Sequence, residues 1–337
     1  MDDPSGALQA LPLITSEALD DLAPEWEALA AAVPGAAPFH LPAWHRTWLR
    51  HHGAAAEPVY LSIRRDDRLI GVAALDLQPG GATDLGDPNV RDYGGPLALP
   101  GEEEAVAAGI LEWLREDFTR AFEPWGIPAD GPWPAAFRTA AERYGWSFAA
   151  EPEATCPGID LPATFDEYVA SLPKHDRHEL RRKLRNFEAA GAAAFERITG
   201  SGVGEHLDLL FAMMRASRAD KAAFLTPERE SFFRALADAF APAGQLALGL
   251  TTLDGRPVAA TLTFELGPTI FLYNSGYDPA FARLAPGLVS KARALRDAIE
   301  RGFARFDFLR GEEPYKRHLG GTDRQLLRLR LEDRAGR

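Results

Sequence analysis

The sequence has few of the residues and segments that mark disulfide-stabilised, metal-binding or membrane-spanning proteins. It contains one cysteine, Cys156, which excludes an internal disulfide framework and a cysteine-rich metal site. No run of apolar residues is long enough to cross a bilayer, and the opening segment, MDDPSGALQALPLI, lacks the basic start and apolar core of a signal peptide. We therefore expect a cytoplasmic protein that does not insert into a membrane.

Several motifs of well-known enzyme classes are also missing. The chain has no nucleotide-binding P-loop, no dinucleotide-binding fingerprint and no Ser-His-Asp arrangement. Its histidines do not form a zinc set with suitably spaced carboxylates, so we expect no metal. The net charge of −12 argues against binding nucleic acid through the whole surface, although it still allows a local basic patch.

What the chain does have is the composition of a soluble protein with two domains. Of its 337 residues, 46% are hydrophobic and 26% are charged, which is enough to bury a sizeable core. Pro, Gly and acidic residues cluster over residues 151–162, and this predicts a boundary between domains of residues 1–152 and 153–337. Each half shows a hairpin, a loop and then a helix. We therefore predict an α/β (α+β) fold with a coarse internal duplication.

Local signals place individual elements in both halves. A short helix is predicted over residues 24–32, with a proline in its first turn. Thr164 and Glu167 are spaced as a capping box at a helix start. Asp254 and Gly255 lie between two alternating apolar runs, which is the strongest short-range signal for a β-hairpin.

The segment over residues 269–316 contains the main candidate for a ligand site. Its first residues are β-branched and aromatic, as in a buried strand, and a Pro-Gly pair then restarts the chain as an amphipathic helix. A strand that feeds a tight turn and a helix N-terminus presents N–H groups and a positive dipole end, which together bind anions. The alternative is that Pro-Gly only starts a packed helix. The predicted anion-binding residues are Gly287, Leu288, Val289 and Ser290, with Lys291 nearby.

Four blocks of the sequence resemble a known enzyme family. They are CPGIDLPATFDEYVASLPKHDRHELRRKLRNFEAAG, LDGRPVAATLTF, YNSGYDPAFARLAPGLVSKA and FDFLRGEEPYKRHLG. In this order they resemble the CelD/BcsL-like acetyltransferases, a branch of the GNAT superfamily related to the Fem-type aminoacyltransferases. The resemblance is best over residues 156–320 and looser before residue 151.

This resemblance implies two tandem GNAT-like domains, each a mixed, mostly antiparallel sheet flanked by helices. It also implies that the C-terminal domain carries the main cleft and that the N-terminal domain is degenerate. One feature departs from the pattern: ARLAPGLVSK stands where GNAT proteins usually have the phosphate loop Arg/Gln-x-x-Gly-x-Gly/Ala. The Fem-type relatives take their acyl group from aminoacyl-tRNA, so the resemblance leaves two kinds of acyl donor open.

Polar residues follow the next predicted strand, FARFDFL, at the edge where α/β sheets usually meet substrates. Amide-forming acyl transfer needs a base to take a proton from the incoming ammonium and a donor for the developing oxyanion. Asp307 or Glu312 could supply the base, Tyr315 the proton for the departing group, and Lys316 the charge stabilisation. Structural alternatives remain open, because Asp307 could bond backbone, Glu312 could be solvated and Tyr315 could pack.

Two further groups of polar residues are candidates for binding substrate. Asn274, Tyr277 and Asp278 end the strand before the Pro-Gly turn and would line the same cleft, although YNSGYD is also typical of a turn. In the densely basic segment KHDRHELRRKLRNF, Arg177 and Arg181 lie on one helical stripe that could hold a phosphorylated donor, either tRNA or a nucleotide-linked carrier. The alternative is a solvated helix face paired with carboxylates.

Together, the residues and the resemblance predict an N-acyltransferase. It would move an acyl group from acetyl-CoA or another acyl-CoA to a small-molecule or carrier-linked amine by direct attack. No covalent enzyme intermediate is expected, because no activated nucleophile is evident. Two alternatives remain, namely a Fem-like aminoacyltransferase that uses aminoacyl-tRNA and a non-catalytic binding protein for a polysaccharide or phosphorylated ligand.

Overall fold

A computed structural model describes residues 8–13 and 16–334 of the chain. The strands are β1 (Leu8–Leu13), β2 (Pro58–Arg65), β3 (Arg68–Gln78), β4 (Gly81–Asp84), β5 (Leu97–Ala98), β6 (Ala121–Glu123), β7 (Ile127–Pro128), β8 (Trp146–Asp160), β9 (Ala193–Ile198), β10 (Leu246–Leu253), β11 (Arg256–Leu266), β12 (Thr269–Tyr277), β13 (Arg305–Asp307) and β14 (Thr322–Asp333). The helices are α1 (Ser16–Ala32), α2 (Pro42–His52), α3 (Glu103–Trp113), α4 (Trp133–Tyr144), α5 (Phe165–Ser171), α6 (Lys174–Glu188), α7 (Ser201–Glu205), α8 (Leu207–Ser217), α9 (Ala219–Phe224), α10 (Pro227–Phe240), α11 (Pro286–Glu300) and α12 (Pro314–His318). Short 3₁₀ turns cover Pro38–His40, Gly53–Ala55 and Pro279–Leu284, and a π-helical turn over Leu114–Phe118 continues α3.

The described chain divides into two compact units. The first unit contains the residues up to Ala154 together with those from Arg324 onward, and the second contains Thr155–Asp323. The last strand, β14, therefore contributes almost all of its length to the first unit, although it follows the second unit in sequence.

The first unit is built on a mixed sheet with strand order β1-β2-β3-β4-β6-β14. Neighbouring strands run antiparallel except β4 and β6, which are parallel. Apolar side chains of α3 and α4 pack with those of the sheet into one core, which includes Ile110, Phe137 and Trp146. This burial is the main force that holds the unit together.

The second unit repeats this plan with strand order β8-β13-β12-β11-β10-β9. Its neighbouring strands are antiparallel except β12 and β13. Parallel neighbours need a crossover connection, and α11 supplies it. Leu272 of β12, Leu295 of α11 and Phe306 of β13 lie in one buried core. The predicted α/β (α+β) class, with mostly antiparallel sheets flanked by helices, is confirmed.

Two local predictions in the second unit are also confirmed. At the start of α5, the Glu167 amide donates to Thr164 Oγ1 at 3.2 Å, and the Thr164 amide donates to Glu167 Oε2 at 3.1 Å. Asp254 and Gly255 join β10 to β11 with φ of 50° and 74°. Positive φ at both central positions is the geometry that Asp-Gly favours in a two-residue hairpin.

The first helix is longer than its sequence signal suggested. The prediction began it near Pro24, whereas α1 begins at Ser16 and carries that proline in its interior. Leu19 and Leu22 continue the buried face that Trp26 and Leu29 form downstream. Burial of that longer apolar face outweighs the hydrogen bond that an interior proline removes.

Candidate active site

A cleft opens in the second unit where two parallel strands stop pairing. β12 and β13 pair only through Thr269–Arg305, Ile270–Phe306 and Phe271–Asp307. β13 then ends, whereas β12 continues for six residues with β11 as its partner. The register between β11 and β12 shifts by one residue at this point, which is a β-bulge and bends the strand. The bend leaves room beyond the last β12–β13 pair.

The cleft has a volume of about 230 Å³ and draws its walls from four parts of the second unit. The strand β12 forms one wall, and the start of α11 with the turn before it forms another. The junction between α8 and α9 forms the third wall of the cleft, and the segment after β13 forms the fourth. The lining residues are Ser217, Arg218, Lys221, Ser275, Tyr277, Ala282, Ala285, Pro286, Gly287, Leu288, Lys291, Glu313 and Tyr315.

The start of α11 presents fewer free amides than the sequence predicted. Ala285 adopts a left-handed conformation with φ of 51°, and its carbonyl accepts from both the Leu288 and Val289 amides, at 3.0 and 3.1 Å. Val289 is fully buried in an apolar cluster, and Ser290 is also buried, so neither lines the cleft. In the described part of the chain the Gly287 amide has no hydrogen-bond acceptor. Of the five predicted anion-binding residues, Gly287, Leu288 and Lys291 therefore face the cleft.

Lys291 lies one turn into α11 and is 7% exposed. Its Nζ donates to the Gly287 carbonyl at 3.1 Å and lies 4.5 Å from the centre of the Tyr315 ring. Burial, reinforced by the charge of Lys221, lowers the pKa of Lys291 to about 7. A substantial fraction of this amine is therefore neutral near physiological pH.

Sequence reasoning missed two cations of the cleft, Arg218 and Lys221. Lys221 Nζ contacts the Ser275 carbonyl and lies 3.5 Å from Asn274 Oδ1. Burial lowers the pKa of Lys221 to about 8. The available signal was the scarcity of lysine, since the chain has five lysines among its 37 basic residues. Three of the five, Lys221, Lys291 and Lys316, lie in or beside this cleft.

Lys316 supports the cleft without lining it. Its side chain is 2% exposed, and Nζ donates to the carbonyls of Leu309 and Arg310 at 3.0 and 2.8 Å. It also forms an ion pair of 3.0 Å with Glu313 Oε2. Lys316 thus holds the carboxylate of Glu313, which does line the cleft.

Among the described residues that line the cleft, Glu313 is the one that carries a carboxylate. Burial favours its neutral form, but the Lys316 ammonium, helped by the Arg218 guanidinium at 3.8 Å, outweighs burial and lowers the pKa of Glu313. The group is therefore ionised at neutral pH. The sequence contained this residue next to a predicted base, Glu312, but only the fold determines which of the two turns inward.

The predicted bases Asp307 and Glu312 do not reach the cleft. Asp307 is buried, and its Oδ1 accepts from the Leu309 amide at 2.8 Å, so it stabilises the turn that ends β13. Glu312 is exposed to solvent. Tyr315 does line the cleft, and burial raises its pKa, which keeps the phenol protonated. In this structure Asp307 thus bonds backbone and Glu312 is solvated, and only Tyr315 of these three residues lines the cleft.

Of the three candidates at the end of β12, Tyr277 lines the cleft directly. Asn274 Oδ1 accepts from the Ser275 amide at 3.1 Å and faces Lys221. Asp278 caps the following 3₁₀ turn through the Ala280 amide at 2.9 Å and pairs with a surface arginine. Asp278 is therefore used in the turn, outside the cleft.

The basic helix α6 does not contribute to the cleft lining. Arg177 donates to the Ala170 carbonyl at 2.8 Å, and Arg181 is exposed on the helix surface. Arg182 and Lys183 pair with Glu179 on the same helix. Part of this basic face is thus neutralised by a carboxylate of its own helix.

Two features are absent from the described residues. No helix in this part of the chain is both long and apolar enough to cross a membrane. Within residues 8–13 and 16–334, no group of three His, Cys, Asp or Glu side chains is arranged to hold a metal ion.

Comparison with known proteins agrees with this geometry. Residues 174–317 match the family model described as an acetyltransferase (GNAT) domain, which spans the whole cleft. No curated protein sequence matches the chain. The matched residues lie within the second unit, and the match supports an acyltransferase.

Solved structures show the same fold over nearly the whole chain. The crystal structure of FemX aligns with a TM-score of 0.67 at 14% identity, covering 95% of this chain and 96% of FemX. The C-terminal domain of a putative lysylphosphatidylglycerol synthetase from Agrobacterium fabrum aligns with a TM-score of 0.59 at 10% identity, covering 94% and 93%. A tandem GNAT protein from the clavulanic acid biosynthesis pathway aligns with a TM-score of 0.50 at 18% identity, covering 96% and 98%. The chain thus has the fold of tandem GNAT and FemX proteins.

Proposed function

We propose that this protein is an N-acyltransferase that moves an acyl group, acetyl in the simplest case, from acyl-CoA to an amine by direct attack. The observation that carries the proposal is the cleft between the diverging ends of β12 and β13, which meets the start of α11. A cleft of this kind can admit an extended donor along the unpaired edge of β12 while its anionic end meets the helix.

The residues at the start of α11 fit an anionic donor. The Gly287 amide is free of protein acceptors in the described chain, and the 15-residue helix directs the positive end of its dipole to this point. Arg218, Lys221 and Lys291 add positive charge to the lining, against the single carboxylate of Glu313. The phosphates of a coenzyme A ester are the kind of anion that this surface attracts.

The cleft also has groups suited to the chemistry. The incoming amine must lose a proton, and the Glu313 carboxylate can accept it because Lys316 keeps that carboxylate ionised and fixed. The Lys221 ammonium can stabilise the oxyanion that forms on the attacked carbonyl. Tyr315, which stays protonated, can donate a proton to the departing thiolate. Lys316 acts in this scheme as a positioning residue.

Several finer expectations belong to the same proposal. We place the chain in the CelD/BcsL-like branch and in the cytoplasm, and we assign its first unit to a degenerate GNAT-like domain. The acceptor would be a small-molecule or carrier-linked amine, because the cleft offers a proton acceptor for an ammonium. No resident metal is required by any of these steps.

The test is the thermal stability of the purified chain with and without acetyl-CoA. We expect acetyl-CoA to raise the melting temperature and Gly287→Glu to abolish the rise. A Cβ at Gly287 would lie 3.0 Å from the Tyr277 ring, and the new carboxylate would repel the donor. Gly204→Glu is the matched control, since a Cβ there meets no atom within 4 Å. A folded Gly287→Glu protein with an unchanged rise would remove the donor from this site.

The exposed cations of α6 favour one second candidate, an aminoacyltransferase that uses aminoacyl-tRNA. Arg181 lies exposed on this helix in an otherwise acidic protein. Salt-sensitive tRNA binding that is lost on Arg181→Glu combined with Arg182→Glu, together with no response to acetyl-CoA, would select this candidate. Absence of turnover with either donor would instead leave a non-catalytic binding protein.

A further inference from the structure

The distribution of lysine in this chain is uneven. Arginine supplies most of the 37 basic residues, and two of the five lysines lie on α6, where Lys174 is exposed and Lys183 pairs with a neighbouring glutamate. The other three surround the cleft of the second unit. Arginine stays charged in proteins, whereas a buried lysine can lose its proton and become a nucleophile. The cleft therefore holds the side chains in this protein most capable of amine chemistry.

The three lysines of this cluster differ in how they are held. Lys316 is engaged by two carbonyls and the Glu313 carboxylate, and Lys221 contacts the Ser275 carbonyl and the Asn274 amide oxygen. Lys291 lines the cavity with one hydrogen-bond acceptor in the described chain, the carbonyl of its own helix at Gly287. Its Nζ also lies 4.5 Å from the centre of the Tyr315 ring, which lines the same cavity. Lys291 is thus the least constrained amine of the three.

The surroundings of Lys291 also favour its neutral form. The charged and titratable groups that face it are Arg218 and Lys221 from the α8–α9 junction, and Glu313, Tyr315 and Lys316 from the segment around α12. Burial comes first and the neighbouring cations outnumber the one carboxylate, so the pKa falls to about 7. Compared with a solvated lysine near pH 7, the neutral fraction is on the order of a thousandfold larger.

We propose that Lys291 is itself an acyl acceptor, so that the cleft contains a self-acylation site that operates when no substrate amine is present. This inference rests on the proposed acyl-CoA function. The lone pair of the neutral Nζ attacks the thioester carbonyl carbon, a C–N bond forms and the C–S bond breaks. The coenzyme leaves as a thiolate, and the proton released from Nζ neutralises it.

The product is a neutral amide that occupies part of the cavity. It removes the positive charge that the protonated fraction of Lys291 carries and adds the volume of the acyl group beside Gly287 and Tyr315. Both changes weaken binding of the next anionic donor. Self-acylation therefore limits the enzyme when donor is plentiful and acceptor is scarce.

The experiment uses the full chain incubated with acetyl-CoA and no acceptor, followed by intact mass and peptide mapping. We expect one acetyl group per chain, located on Lys291, and none in Lys291→Arg. Lys174→Arg is the matched control, since it removes an exposed lysine and should still gain the group. The initial rate should rise with pH through about 7 and then level off, because acylation needs the deprotonated amine. An ordinary lysine would instead keep gaining reactivity up to about pH 10.

The outcomes separate this inference from the function on which it rests. Acetyl-CoA that stabilises the wild-type chain, without acetylation of Lys291 above the level at Lys174, would overturn self-acylation and leave the donor site intact. Acetyl-CoA that neither stabilises nor acylates the chain would overturn both. Because the decisive comparison is made within the wild-type protein, a folding defect in Lys291→Arg would not rescue the proposal.

Discussion

Replacement of Lys316 by methionine tests whether this lysine holds the segment around Glu313 in place. Methionine keeps most of the side-chain volume, so the change removes the ammonium without opening a large cavity. The lost contacts are those to the Leu309 and Arg310 carbonyls and to Glu313. Leu309 has a φ of 57°, a conformation that a leucine holds only when its surroundings fix it. Removing the ammonium releases one of those constraints.

The size of the expected loss in unfolding free energy follows from how deeply the Lys316–Glu313 ion pair is buried. Deleting one partner of a buried ion pair costs about 3–5 kcal/mol, because the other charge is left without compensation. Glu313 keeps Arg218 at 3.8 Å and is 30% exposed, so water can solvate part of its charge. We therefore expect the lower end, about 3 kcal/mol in the free energy of unfolding. The control is Lys183→Met, which breaks a half-exposed i,i+4 pair with Glu179 within one helix and should cost about 0.5 kcal/mol.

The measurement is urea unfolding combined with native-state hydrogen exchange of peptides over residues 305–319. Exchange is needed because a chain with two compact units need not unfold in one step. Lys316→Met should accelerate exchange in these peptides and leave those of α3 and α4 unchanged. An unfolding free energy within about 1 kcal/mol of the wild type, with unchanged exchange, would refute the positioning role.

Two further predictions concern the scaffold of the second unit. Gly276→Ala should lower the free energy of unfolding by about 3 kcal/mol, because a Cβ there would lie 2.5 Å from the Met214 amide nitrogen and helix backbone does not shift easily. Gly204→Ala is the control. Equal melting temperatures for the two variants would contradict the packing argument. Glu265→Gln should cost about 2 kcal/mol at neutral pH. Burial opposes ionisation of Glu265, but hydrogen bonds from Arg301 and Arg197 outweigh it and lower the pKa below its ordinary value of 4.5. The stabilisation that ionised Glu265 provides is therefore present above pH 4.5 and is lost as pH falls through the pKa of the folded state. The difference in unfolding free energy between wild type and variant should accordingly shrink in acid. A difference that does not change with pH in urea titrations would contradict this.

Much of the local architecture was predictable, because it depends on residues close together in sequence. The capping box of Thr164 and Glu167 and the Asp254-Gly255 turn are set by hydrogen bonds and φ preferences over two to four residues. The same holds for α11, whose apolar spacing marks the buried face and whose Pro-Gly start marks its beginning. In α1, by contrast, a strong local breaker was overridden by burial of a longer apolar face.

The chemistry of the cleft was less predictable, because it depends on which side of a short segment faces inward. Glu312 and Glu313 are adjacent in sequence, yet only Glu313 turns into the cleft, where Lys316 holds it. Asp307 looked like a base among aromatics, but the turn after β13 uses its carboxylate to bind the Leu309 amide. The turn after a strand sets the direction of the side chains at the strand end, and no short sequence pattern predicts that direction well.

The sequence by itself determined the class of fold, the helix that begins at Pro286 and the chemical types available near residues 269–316. Those features follow from hydrophobic period, turn residues and composition, which act over a few positions. Only the tertiary structure decided that Arg218 and Lys221, about 70 residues before Lys291, share its cavity, and that burial there lowers the pKa of both lysines. The physical reason is that desolvation and charge proximity depend on distances through space, which the packing of α8, α9 and α11 around β12 sets.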